Sequence, residues 1–213
     1  MGISSSAPWL NFYGDTPANI EYPRKTIYQM IESAASRYPK LNAYDFMGKT
    51  TTYEAFLKRI ELTAKSLLAL GIQKGDRVTI CMPNSPQAVD TFYALNSIGA
   101  VSNMIHPLSA PGEIKFYLNF SRSKAILTLD QFYPKIQQIE GELEQDTKVI
   151  IARIKDELPF PLSVGFALTQ GRKIPPLPKK GNYIIWNDLL AMGRRFKGPL
   201  PPHTGQYTDG ASI

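Results

Sequence analysis

Apolar residues recur every three or four positions along the first third of the chain, a spacing typical of amphipathic helices. This pattern predicts two helices, over residues 26–38 and 53–70. Thr26 stands where an N-cap residue is favoured, and Gly71 stands just past the second helix, where a left-handed residue commonly ends one. Between the two helices, NAYDF and KTTTY flank a Met-Gly pair and predict a short β-hairpin.

From residue 77 onward the pattern changes to an alternation of strands and helices. A continuous apolar run, typical of a strand covered on both faces, occurs at 77–82, and further strands are predicted at 100–105, 124–129 and 148–154. Helices are predicted between these runs, opened by Ser85 and Pro86, by the stretch 109–113, and near 131–143. We therefore expect an α/β fold with a mostly parallel sheet of βαβ units flanked by helices, preceded by an N-terminal arm and the small hairpin.

The last quarter of the chain is less regular. It predicts a short helix at 163–170, a strand at YIIW (183–186) and a further short helix capped by Asn187. The sequence thus divides into an N-terminal arm (1–25), an α/β core (26–154), a basic, proline-containing irregular extension (155–196), and a linker with the start of a strand (197–213).

The net charge of +6 belongs to one segment of the 213-residue chain. Residues 153–198 contain nine basic and three acidic residues, and the rest of the chain is balanced. Prolines interrupt the segment, which disfavours a nucleic-acid-binding helix. Two interpretations stay open: a plain solvated face, or a surface that meets phosphate groups or an anionic membrane.

Composition and targeting signals indicate a cytoplasmic protein. Cys81 is the only cysteine, which fits a reducing compartment. No apolar run approaches the roughly 18 residues of a membrane span, and the N-terminus lacks the pattern of a secretion signal. Gly2 and Ser6 give a weak match to the myristoylation pattern. Homo-oligomer formation is left open, with the arm at 11–17 or the basic segment as candidate surfaces.

Few residues of the sequence indicate catalysis. There is no Gly-x-x-x-x-Gly-Lys loop, and His106 and His203 have no cysteine or carboxylate partners at metal-binding spacing. Ligands of open parallel sheets bind beyond the carboxyl ends of the strands. Asn84, Ser85 and His106, which follow two predicted strands, are therefore the candidates for lining a site. The alternative is that Ser85 only caps a helix and His106 only completes a turn.

Three motifs, in order, resemble a known family. TTYEAF (51–56), GDRVTICMPNSPQ (75–87) and ALNSIGAVSNMIHPLSAPGEI (94–114) are similar to the opening of the acyl- and aryl-CoA synthetases, members of the adenylate-forming superfamily. The opening stretch 22–39 resembles that of fatty-acid CoA ligases in particular. The resemblance covers residues 20–153 well and 154–200 more loosely. His106 departs from the family, which commonly has asparagine before this proline.

The resemblance implies the first subdomain of an enzyme that joins a carboxylic acid to coenzyme A. In that family the acid reacts with ATP to give an acyl-adenylate and pyrophosphate, and the thiol of coenzyme A then displaces AMP. The phosphate loop, Mg²⁺ and a C-terminal lysine of that reaction lie downstream of Ile213, and TDGASI (208–213) is similar to the lead-in to the loop. We therefore assign no catalytic residue.

The same resemblance leads us to expect an N-terminal fragment of an ATP-dependent acyl-CoA synthetase, acting on fatty acids, that is inactive alone. ATP, Mg²⁺ and coenzyme A are the cofactors and co-substrates expected for the full-length enzyme, and none is expected to bind the fragment by itself. Two alternatives stay open: an aryl-acid or amino-acid adenylating ligase, and a non-catalytic binding module with the same fold.

Overall fold

The structure, a computed structural model, describes residues 7–179, 181–201 and 208–213. Gly2, Ser6 and His203 lie outside the described residues. The arm runs from residue 7 to 25 with one 3₁₀ turn, Pro8–Phe12, and most of its side chains are exposed. No described helix has both the length and the hydropathy of a membrane-spanning segment.

The two predicted helices and the hairpin between them are confirmed. Helix α1 (Ile27–Arg37) begins with a capping box, in which the Thr26 side chain accepts from the Gln29 amide and the Gln29 side chain accepts from Thr26. Strands β1 (Asn42–Phe46) and β2 (Lys49–Thr52) pair antiparallel. Helix α2 (Tyr53–Ala69) follows directly. Its last turn leads into Gly71, whose φ of 95° is the left-handed value expected there.

The described part of the chain forms a second sheet, of five parallel strands. They are β3 (Arg77–Cys81), β4 (Val101–Met104), β5 (Ala125–Leu129), β6 (Lys148–Ala152) and β7 (Tyr183–Ile185). The spatial order is β4-β3-β5-β6-β7. The chain passes from β3 to β4 on one side and then returns to β5 on the other, so the order reverses between β3 and β5. Such a reversal is where ligands of open parallel sheets usually bind.

Helices cover both faces of this sheet. The helices after α2 are α3 (Pro86–Ser97), α4 (Pro111–Ser121), α5 (Tyr133–Gln137), α6 (Leu162–Leu168) and α7 (Trp186–Arg195). One apolar cluster joins α2, α3 and α7 to one face of the strands, and a second joins α4 and α5 to the other face. Successive residues of β5 alternate between the clusters, as the pleat requires. The predicted α/β fold is confirmed.

Three sequence-based predictions need correction. The helix expected at 131–143 is only α5, because a 3₁₀ turn containing Gly141 replaces its second half and glycine disfavours helix. Asn187 does not cap α7, since the helix already begins at Trp186 and the Asn187 amide donates to Asp156 instead. The strand predicted at 183–186 ends at Ile185, because Trp186 already begins α7; β7 and α7 pack on β6 and α2.

The last described residues, 208–213, lie along the outer edge of β4. Ser102 and Met104 donate their amides to the carbonyl oxygens of Ala211 (3.1 Å) and Ile213 (3.2 Å), and the Ile213 amide donates to Ser102 (2.9 Å). The strand start predicted from sequence is therefore present, and it pairs in parallel with β4.

Candidate functional site

The turn after β3 leads directly into helix α3 and caps it. The Ser85 hydroxyl accepts from the Ala88 amide at 3.4 Å and caps α3, and Pro86 occupies the first helical position. Ser85 is buried, whereas Asn84 is exposed to solvent. Neither Asn84 nor Ser85 lines the two cavities described below. A role for them in binding stays a prediction.

The turn after β4 is held in one conformation by two contacts. His106 Nδ1 accepts from the Leu108 amide at 3.2 Å. Lys135 of α5 donates to the backbone carbonyl oxygens of Pro107 (3.3 Å) and Ser109 (2.9 Å). His106 is exposed, so its ring is available at the mouth of the cavity described next.

An open, mainly apolar cavity of about 450 Å³ lies between β4 and α4. Its walls include His106, Met104, Phe116, Phe120 and Ile213. Its volume lies within the range of small-molecule sites, about 300–1,000 Å³. The cavity therefore suits an apolar group and supplies His106 as a polar contact at its edge.

Buried hydroxyl and amide groups form the floor of this cavity. The Asn103 side chain donates to Thr79 Oγ1 (2.9 Å) and Ser121 Oγ (3.1 Å). Ser123 Oγ lies 2.8 Å from both Thr79 Oγ1 and Ser121 Oγ and closes the network. All four side chains are buried. The three hydroxyls and the Asn103 side-chain nitrogen thus all have partners within the network, which gives it a structural role.

A second, polar cavity of about 270 Å³ lies beyond the carboxyl ends of β5 and β6. Asp130 and Arg153, the residues that directly follow these strands, line it together with Lys155 and Phe166. Burial raises the pKa of Asp130, and Arg153 and Lys155 oppose that rise. The rule that selected Asn84 and His106 would also have selected Asp130 and Arg153, since each follows a strand.

A buried ion cluster links α2, α3 and the loop after β6. Arg59 contacts Asp90 Oδ2 at 2.7 Å and Glu157 Oε1 at 2.8 Å. Burial raises the pKa of Asp90 to about 7, against the opposing effect of Arg59. Burial lowers the pKa of Arg59, but the two carboxylates outweigh it and hold that pKa above its ordinary value. Asp90 Oδ1 has no hydrogen-bond partner within the described ranges.

The described residues offer neither a metal cluster nor a readily ionised thiol. No group of three or more His, Cys, Asp or Glu side chains among them could hold a metal ion. Cys81 is buried, and burial raises the pKa of its thiol to about 11, so it is a poor nucleophile at neutral pH. What this edge of the sheet offers is an apolar wall beside His106 and a polar wall beside Arg153.

Comparison with known proteins gives a consistent match. The profile of the family described as "AMP-binding enzyme" matches residues 31–182. A long-chain-fatty-acid–CoA ligase from Bacillus subtilis is 33% identical over 173 residues, which cover 81% of this chain and 31% of the relative. The chain therefore spans about a third of the length of this relative.

Solved structures show the same fold. The N-terminal domain of FACL13 from Mycobacterium tuberculosis superposes with a TM-score of 0.66 and 24% identity, covering 89% of this chain and 41% of that domain. The anthranilate CoA ligase AuaEII superposes with a TM-score of 0.64 and 16% identity, covering 89% of this chain and 31% of that enzyme. A ligase named for an aromatic acid thus shares this fold.

Proposed function

The chain belongs to the AMP-binding enzyme family, and on that premise we propose that it is the N-terminal part of an ATP-dependent acid–CoA ligase. The proposed reaction converts a carboxylic acid, ATP and coenzyme A into acyl-CoA, AMP and pyrophosphate. The observation that carries the proposal is the family match over residues 31–182. The share of the Bacillus subtilis relative that the chain spans, 31%, supports its being one part of a longer enzyme.

A fatty acid is the proposed substrate. The relative with 33% identity is named for long-chain fatty acids, and this name supports the choice. The apolar cavity between β4 and α4 is compatible with it but does not decide it, since an aromatic acid would suit the same wall. The acid is therefore the point on which the experiment must discriminate.

The residues described here do not fit a triphosphate group. The apolar cavity presents Phe116 and Phe120, and the polar cavity sets the Asp130 carboxylate beside its two cations. ATP, Mg²⁺ and coenzyme A are consequently proposed as ligands of the longer enzyme, and this chain's part is to form the sheet and part of its ligand-facing edge. We further propose a cytoplasmic location, supported by the single buried Cys81.

Pyrophosphate exchange tests the proposal directly. ATP and radiolabelled pyrophosphate are incubated with the 213-residue chain or with its longer parent, together with fatty, aryl and amino acids. We expect exchange only with the parent and only with fatty acids. Exchange by the 213-residue chain alone would refute its inactivity, and exchange driven only by aryl or amino acids would refute the fatty-acid assignment.

A further inference from the structure

Helix α6 and the residue pair before it present apolar side chains to solvent. We call Phe160, Leu162, Val164 and Leu168 the α6 tip. Phe160 is 83% exposed and Leu168 55% exposed, and the other two are also exposed. Residues 160–169 contain no charged side chain. An apolar group of this kind on a surface usually marks a contact with a partner.

The inner face of α6 is apolar as well. Phe166 points to the polar cavity, whereas Val164 and Leu168, four residues apart, share the outward face. A helix that is apolar on both sides is normally covered on both sides. The outward face of α6 therefore needs a partner with an apolar interior.

Charge around the α6 tip narrows the choice of partner. Residues 158–187 contain four basic residues and no acidic residue. Of these, Arg172, Lys173 and Lys179 are exposed, and no carboxylate among the described residues forms an ion pair with them. A protein partner that covered the tip would have to supply carboxylates or leave these cations poorly paired. A bilayer containing anionic lipids offers an apolar interior directly below a negative surface.

We propose that the α6 tip, together with Arg172, Lys173 and Lys179, docks this chain on an anionic membrane surface. The apolar side chains enter the boundary between headgroups and acyl chains, and the cations contact lipid phosphates. The docking proposal deepens the proposed function. It depends on that function only for the reason why the chain would bind a membrane, since a fatty acid partitions into bilayers by its acyl chain. Vesicle binding is measured without catalysis, so the failure of one proposal is distinguishable from the failure of the other.

Co-sedimentation with vesicles gives the first test. The 213-residue chain is spun with vesicles of pure phosphatidylcholine or of equimolar phosphatidylglycerol and phosphatidylcholine. We expect binding to the mixed vesicles only. The double substitution Arg172→Gln with Lys173→Gln should weaken binding about 25-fold, since each cation near an anionic surface contributes about fivefold. Lys58→Gln with Lys65→Gln on α2 is the charge-matched control and should bind like the unchanged chain.

An environment-sensitive label gives the second test, which reports insertion rather than adsorption. Cys81 is fully buried, so a cysteine introduced by Leu168→Cys can be labelled selectively with a nitrobenzoxadiazole dye. Met30→Cys on α1 is the matched control, since Met30 is 51% exposed. We expect the dye at position 168 to shift to shorter wavelength with mixed vesicles and the dye at position 30 to stay unchanged.

Three outcomes would overturn the proposal. Equal binding to pure phosphatidylcholine would remove the role of the cations. Sedimentation without a dye shift at position 168 would show that the tip stays in water. A dye at position 168 already shielded before vesicles are added, with the chain self-associated, would make the tip an interface between proteins.

Discussion

Arg59 is the side chain on which the buried ion cluster depends. Its replacement by Met removes the cation closest to the buried Asp90 and Glu157, and removing one partner of a buried pair typically costs about 3–5 kcal/mol. We therefore expect Arg59→Met to lower the free energy of unfolding by this amount in urea titrations at pH 8. The loss should be smaller at pH 6, because protonated Asp90 no longer requires the cation.

Lys58, the neighbour of Arg59 on α2, supplies the control. Its side chain is 71% exposed and pairs with Glu54 on the same helix face. Exposed pairs of this kind contribute little, so Lys58→Met should change the free energy of unfolding by no more than about 0.5 kcal/mol. Equal effects of the two substitutions would show that the cluster adds nothing to stability.

Asp90 should make stability fall as the pH rises. Its pKa is about 7 in the folded chain against an ordinary value of 3.8, so in this interval the folded state keeps a proton that the unfolded state releases. The stabilisation is complete below about 3.8 and lost as the pH passes 7. The difference in unfolding free energy between the natural chain and Asp90→Asn should therefore fall with rising pH, by up to about 1.4 kcal/mol per unit.

Asp146 offers the matched test of this sign. It is exposed, and its pKa is lowered by hydrogen bonds from Lys148 and Asn182. The difference in unfolding free energy between the natural chain and Asp146→Asn should therefore not fall between pH 4 and 7. A pH profile for Asp90→Asn that is parallel to that of the natural chain would contradict the raised pKa.

Sequence patterns could identify residues that act on near neighbours, but not those that act across the fold. The Ser85 cap was predictable because its partner, Ala88, lies three positions away. Arg59 and Glu157 are 98 positions apart, and nothing in either local pattern indicates the other. Their contact depends on how α2 packs beside the end of β6, which only the folded chain establishes.

At the scale of elements, the contact between α2 and α7 depends on one glycine. A Cβ atom at Gly193 would lie 2.1 Å from Ser66 Oγ and 2.9 Å from the Leu62 carbonyl oxygen. The two helices would have to separate, and overpacking of this kind costs about 1–3 kcal/mol. We expect Gly193→Ala to lower the free energy of unfolding by that amount, measured by urea titration.

Gly112 in α4 is the control for the same chemical change. Nothing lies within 4 Å of a Cβ atom built there. Gly112→Ala should therefore be neutral or stabilising by about 0.4–1 kcal/mol, because alanine restricts the unfolded chain. If both substitutions destabilise equally, helix separation is not the cause.

The kinds of elements were predictable because each follows from a local period of apolar residues. Their ends were less so where a boundary depends on tertiary packing. Trp186 was assigned to a strand, yet this residue begins α7, and its side chain is buried in the cluster beneath α2. The helix predicted at 131–143 was too long, because its apolar pattern continues through residues that fold as a 3₁₀ turn.

At the scale of the whole molecule, the outer edge of β4 is covered by the last six residues. Removal of 208–213 should speed hydrogen exchange at the amides of Ser102 and Met104, which donate to Ala211 and Ile213. The amides of Val101 and Ile105 donate to Asp76 and Ile80 instead, and they serve as internal controls that should keep their protection. Unchanged exchange at all four amides would show that the edge contact does not persist in solution.

The parallel sheet followed from the sequence, but the order of its strands did not. Alternation of strand and helix predicts parallel pairing, whereas the positions of β3 and β5 beside each other depend on which face each connecting helix covers. The candidate site shares this limit. His106 was selected by its position after β4, but the apolar wall beside it also includes Ile213, which is distant from His106 in sequence.

The closed network of Asn103, Thr79, Ser121 and Ser123 constrains how this protein can change over generations. An aliphatic residue at any one of the four positions leaves the remaining polar groups buried without hydrogen-bond partners, which costs stability. Simultaneous replacement of all four removes that cost. Single aliphatic substitutions in the network are thus selected against, even if replacement of all four residues is tolerated. Proteins that evolve from this one should therefore keep all four polar residues of the network or replace all four.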